Sequence, residues 1–148
     1  PEATESSSEQ SVCVRGYGAL VVNNQLNTTS EDPIINIVMS QNPDVAPYGA
    51  EKFEWDPQTR ELRSVWVNEE VSLPNGIPAM SAATNLIYDI GQRAGNWTWE
   101  ALDWDTGKSV FSYEIGSNPQ YNSCWAATEI GPNGGLYSGC MSGMMCLH

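Results

Sequence analysis

"EALDWDTGKSVFSYEIG" (residues 100–116) and "EKFEWDPQTRELRSVWV" (51–67) are two versions of one phrase: a strand-like run, a turn and a second strand-like run. Asp105-Thr106-Gly107 supplies the turn in one and Asp56-Pro57 in the other, residues whose side chains or fixed φ angles favour chain reversal. Trp55-Asp56 returns as Trp104-Asp105 after 49 residues, and Ile87-Tyr88 returns as Leu136-Tyr137 at the same distance. Asn75-Gly76 and Asn122-Ser123 each open an apolar stretch, 47 residues apart. A period of about 50 residues is that of propeller blades, each a four-stranded antiparallel sheet.

The chain parses into such units. A central one reads as strands over 77–81, 85–91, 97–104 and 109–115, within a unit spanning 77–115. Its "WTWEALDW" alternates with a period of two, the spacing of a strand with two distinct faces. An earlier unit, 10–67, reads as strands over 10–14, 18–23, 50–55 and 61–67, split by a long insertion at 24–49. That insertion carries three prolines and an apolar patch from Ile34 to Met39, and long insertions of this kind commonly serve binding. A later unit, 122–147, reads as strands over 122–129, 135–140 and 143–147, with the favoured hairpin turn Asn133-Gly134 between the first two. It stops one strand short. Residues 1–9, acidic and rich in serine, read as a flexible leader.

The fold class expected is therefore all-β: a β-propeller of which about three blades are present. Three blades do not close a ring, because propellers use about four to eight. An open stack would leave apolar sheet faces bare, so further blades from another chain or segment are the expected partners.

Composition narrows the functions. The chain has 148 residues, 13 of them glycine and 9 proline, and no long stretch of helical periodicity. No apolar run approaches the roughly 20 residues of a membrane-spanning helix, so no membrane partner is expected. Eighteen acidic residues against 6 basic ones give a net charge of −12, which repels phosphate backbones and argues against nucleic acid. Carboxylates could hold Ca²⁺, but no D-x-[DN]-x-[DN]-G loop is present.

Cys13, Cys124, Cys140 and Cys146 are spaced unlike any zinc ribbon, and the single histidine, His148, offers a poor fourth ligand. Their even number suggests disulfides and an oxidising compartment, with three pairings open. Sequons at Asn27 and Asn96 are compatible with N-glycosylation, and together with the cysteines they point to secretion. In "CMSGMMCLH" (140–148), Met144 and Met145 fall on opposite faces of a strand, which spoils a shared thioether site for a soft metal.

Nucleophilic catalysis of the Ser-His-Asp or Cys-His type needs a histidine in a pocket, and His148 is badly placed for it. Paired carboxylates for glycoside hydrolysis can be drawn at will from so acidic a chain and carry no information. Trp55 and Trp104, at matching places in the repeat, read as blade-core residues. In the inner-strand regions, Asn75, Met80, Asn122 and Glu129 are the ligand-binding candidates, since strands there face a central channel.

"WTWEALDWDTGKSVFSYEIG" (97–116), "YNSCWAATEIGPNGGLYSG" (121–139) and "VSLPNGIPAMSAATNLIYDIG" (71–91) resemble blades of quinoprotein-like propellers, which carry PQQ-type repeats. The resemblance covers roughly 46–147. "ALDWDTGK" matches the family's A-x-D-x-x-T-G-K pattern, whereas "FEWDPQTR" lacks its Gly-Lys. The resemblance implies a larger ring with any ligand over its channel, and in enzymatic members a quinone cofactor, commonly with Ca²⁺. No cofactor-binding residue carries over, because only blade signatures match. The reading is a secreted propeller segment serving binding or assembly, its partners other blades or chains and a glycan or small molecule. The alternatives are a fragment of a quinoprotein-like oxidoreductase or a carbohydrate-active propeller.

Overall fold

The computed structural model describes residues 12–22, 48–74 and 76–148. The expected leader (1–9), most of the insertion at 24–49, Asn27 and Asn75 lie outside the described residues. The chain is all-β, built of antiparallel sheets, and among the described residues the one helical element is a three-residue 3-10 turn, Pro119–Tyr121.

The first sheet runs β1 (Val12–Arg15), β2 (Gly18–Val22), β3 (Ala50–Asp56) and β4 (Glu61–Asn68), each strand paired with the next. The second repeats that order with β5 (Ala79–Ser81), β6 (Leu86–Arg93), β7 (Asn96–Asp103) and β8 (Ser109–Gly116). The third has β9 (Thr128–Ile130), β10 (Leu136–Cys140) and β11 (Gly143–Leu147), with β11 at its edge. Among the described residues no sheet closes on itself. The two phrases at 51–67 and 100–116 are the hairpins β3–β4 and, from its second half, β7–β8.

Both hairpins turn in the same way. Asp56 Oδ1 accepts the amides of Gln58 (2.8 Å) and Thr59 (3.3 Å), and the Arg60 amide donates to the Asp56 carbonyl at 2.8 Å. Asp103 Oδ1 accepts the amides of Asp105 (3.1 Å) and Thr106 (2.8 Å), and the Gly107 amide donates to the Asp103 carbonyl at 2.8 Å. The Thr106 hydroxyl adds a bond to Asp103 at 2.8 Å, and with the amides it holds that carboxyl below the usual carboxylate range.

Between the first two sheets the geometric period is therefore 47 residues, Asp56 to Asp103, and the repeated Trp-Asp dipeptide is out of step with it. By turn geometry Trp55 corresponds to Leu102, and Trp104 corresponds to Pro57. The shared core role expected for the two tryptophans fails accordingly: Trp104 is 4% exposed and Trp55 is 39% exposed. Trp104 lies one residue inside its turn, between the first and second sheets. Trp55 lies on the face of the first sheet turned away from the second.

The sheets stack through two apolar cores. Ala50, Trp66, Val71, Leu73, Ile87, Leu102 and Trp104 join the first sheet to the second. Tyr88, Ile90, Trp97, Trp99, Ala101 and Leu136 join the second to the third, flanked by Phe111, Ile115, Met145 and Leu147. β6 and β7 are covered on both faces, which is why "LIYDIG" and "WTWEAL" are nearly continuous runs of large side chains. The linkers add backbone pairing between sheets: Ser72 exchanges hydrogen bonds with Gln92 at 2.8 and 3.2 Å, and the Thr128 amide donates to Ile77 at 2.9 Å.

The strand expected over 122–129 is shorter than its sequence suggests. Residues Ser123 to Ala126 form a turn closed by a 2.9 Å hydrogen bond, with Cys124 at φ 48° and Trp125 at φ 61°. Two successive left-handed residues reverse the chain, so the strand begins only at Thr128.

Candidate functional site

Strand alternation puts Phe111 and Tyr113 of β8, two positions apart, on the face directed at the third sheet. Their rings stack with centroids 4.9 Å apart and planes inclined by 26°, and Tyr88 of β6 lies 6.2 Å from Phe111. Opposite stand Ile130, Leu136 and Leu147 of the third sheet, leaving a cleft of about 540 Å³. Ser81, Thr84 and His148 supply its polar groups, and the Thr84 hydroxyl lies 3.0 Å from the Tyr88 hydroxyl. Among the described residues no Asp, Glu, Lys or Arg side chain lines this cleft, although the chain carries a net charge of −12. His148 meets Tyr137 edge-on at 5.7 Å, and its Nε2 lies 2.8 Å from the Cys146 thiol.

A second hollow, of about 590 Å³, opens between the first two sheets and is polar, with Asn68, Glu69, Glu70, Thr106 and Lys108 among its walls. Asn68 ties those walls together. Its Nδ2 donates to the Gly107 carbonyl at 2.7 Å, while its Oδ1 accepts the Glu70 amide at 2.8 Å.

Two carboxylates are buried in the second sheet. Glu100 accepts Arg93 Nε and Nη2, each at 2.9 Å, together with the hydroxyls of Thr98 (2.6 Å) and Ser112 (2.7 Å). The Glu100 hydrogen bonds raise the Arg93 guanidinium above its usual range. Asp89 has poorer company. Its Oδ1 accepts the Ile90 amide at 2.8 Å and the Thr128 hydroxyl at 3.4 Å, while Oδ2 finds no hydrogen-bond partner among the described residues. Burial pushes its carboxyl up to about 8, so Asp89 is protonated at neutral pH. Gly76 is the residue that admits it, since a Cβ there would stand 1.9 Å from Asp89 Oδ1.

The residues singled out from sequence are dispersed. Met80 packs against the core between the first two sheets. Asn122 is buried in the turn before the third sheet, its Oδ1 accepting the Cys124 amide at 2.8 Å and its carbonyl accepting the Met141 amide at 3.1 Å. Glu129 is exposed on β9, opposite Tyr137. None of these three lines the aromatic cleft. Sequence reasoning did not reach that cleft, because its walls come from turns and strands as far apart as Ser81 and His148. Asp89 carried a signal that went unread: a lone acid inside the apolar run "LIYDIG".

Cys124, Cys140 and Cys146 are free thiols in the structure, and the Cys13 side chain lies outside the described residues. Burial raises the Cys124 thiol. Cys140 lies 3.9 Å from the Ser142 hydroxyl. Asn96 opens β7, and the Thr98 of its sequon is buried, with its hydroxyl on Glu100. Among the described residues no three His, Cys, Asp or Glu side chains gather to hold a metal ion. No helix among them is long and apolar enough to cross a membrane.

No family model matches the chain. Over 149 aligned residues, covering 97% of its length, it is 48% identical to a protein of Archaeoglobus fulgidus described as uncharacterized. The chain spans 29% of that relative's length.

Proposed function

We propose that the chain is a run of β-propeller blades that acts as a binding or assembly module, completed by further blades from another chain or segment. The observation that carries this reading is the bare outer face of the first sheet. Trp55, Leu62, Val65 and Val67 are exposed on β3 and β4, on a sheet whose opposite face is packed. Adjacent exposed apolar side chains of this size mark a surface meant for another layer. The face-to-face stacking of sheets in chain order, and a relative of which the chain spans 29%, support the same reading. The resemblance to quinoprotein-like propellers supports the alternative of an oxidoreductase fragment, whose native particle would show quinone absorbance. The even cysteine count and the two sequons are the support for a secreted setting.

Light scattering of the native particle tests the proposal. A mass well above 16.2 kDa, falling on Leu62→Lys or Val67→Lys substitution, is the expected result. A monodisperse, folded 16.2 kDa monomer overturns it.

A further inference from the structure

The first two sheets share one frame. Their Asp-headed turns correspond, and counting back along the strands the pair Lys52–Trp66 of the first sheet matches Trp99–Tyr113 of the second. Trp66 and Tyr113, 47 residues apart, thus hold one position of the repeat. Trp66 is 9% exposed because the next sheet covers it with the glycine end of its Asp103–Gly107 turn. Tyr113 faces the third sheet and is 54% exposed. In a four-stranded sheet the covering turn lies between the third and fourth strands. Among the described residues the third sheet has three strands, with β11 as its edge.

We propose that the aromatic cleft is a docking groove for one kind of occupant. This is an extended segment that pairs with the open edge of β11 and is preceded by an Asp-capped, glycine-bearing turn seated on Tyr113. The inference rests on the propeller reading and names where the third sheet is completed and by what chemistry. Three observations support it. Phe111, Leu136 and Leu147 belong both to the cleft and to the core between the second and third sheets, so the groove continues an existing interface. Among the described residues the walls carry no Asp, Glu, Lys or Arg side chain and a single imidazole, His148, so a charged ligand would lose its water for one partner at most, whereas the uncharged face of a strand has little water to lose. The edge of β11 offers the backbone groups a strand needs, and Met145 and Leu147 continue an apolar face beside it.

The strand pairs Tyr88–Ala101 and Tyr137–Cys146 align Leu102 with Leu147, so His148 stands where Asp103 stands in the second sheet. The test uses that register. His148 is replaced by a copy of residues 103–116, the chain's own Asp-capped turn and outer strand, and hydrogen exchange is compared with the unaltered chain. The amides of Gly143–Leu147 should exchange at least about tenfold more slowly. Gly107→Val in the copy alone, or Tyr113→Ala in the body, should abolish that protection. Unchanged exchange at β11, or protection indifferent to Tyr113→Ala, overturns the inference. Protection of the unaltered chain that rises with its own concentration would assign the groove to a second copy and also overturn it. So would maltotriose shifting the Tyr113 resonances while the lengthened chain leaves β11 unprotected. The broader reading fails separately: a native particle above 16.2 kDa with β11 still exchanging freely sinks only the docking groove.

Discussion

The indole of Trp66 lies against the backbone of Gly107, so closely that a Cβ on Gly107 would stand 2.4 Å from the ring. Trp66 Nε1 meanwhile donates to the Trp104 carbonyl at 2.9 Å, which fixes the indole to the same turn. Gly107 also holds φ +70°, so glycine is required both for space and for conformation. Gly107→Ala should destabilise the chain by about 3 kcal/mol, combining left-handed strain with overpacking. Denaturant titration followed by tryptophan fluorescence reads it, and an unmoved midpoint would show that this contact does not hold the two sheets together.

Arg60 occupies the equivalent place in the first sheet's turn, at φ +59°, without glycine's freedom. Arg60→Gly should therefore stabilise the chain by about 0.5–1 kcal/mol, the left-handed penalty partly offset by the looser unfolded chain. A lowered melting temperature would count against equating the two turns.

Asp89 sets a pH dependence. Its carboxyl rises from 3.8 in the unfolded chain to about 8 in the folded one, so the folded state holds the extra proton between those values. The stability it contributes is fully present below pH 3.8 and is lost as pH climbs through about 8. Asp89→Asn, always neutral, should match the parent near pH 4 and gain on it steadily toward pH 8, by at most roughly 1.4 kcal/mol per pH unit. Parallel melting curves for the two proteins across that range would contradict the assignment.

Arg93→Met leaves Glu100 buried with only hydroxyl partners, and a loss of about 3 kcal/mol is expected. Adding Glu100→Gln should recover part of that loss, because the two side chains act as one unit. If the double variant merely sums the single losses in urea unfolding, the pair is not coupled.

The hairpins were legible because Asp, Pro and Gly announce their turns locally. The Asp56 and Asp103 carboxylates cap amides only two and three residues away, so no distant part of the chain is needed. Between the first two sheets the Trp-Asp spacing overstates the repeat by two residues. The eye follows an identical dipeptide, while geometry follows the aspartate that begins the reversal. Of the residues put forward for binding, Met80 and Asn122 turned out to be occupied in packing and in a turn. The aromatic cleft gave no warning, since Phe111 and Tyr113 look like ordinary strand residues until Ile130, Leu136 and Leu147 are placed opposite them.

Sequence by itself determined most of the strands, their antiparallel order and the fact that one sheet resembles the next, because alternation and turn chemistry act over a few neighbours. Tertiary structure alone decided that Trp104 is covered and Trp55 bare, that Trp66 is seated while its counterpart Tyr113 is not, and that Asp89 keeps its proton. Those outcomes depend on which sheet lies against which face. Burial and desolvation are properties of that stacking, and no local pattern of residues encodes them.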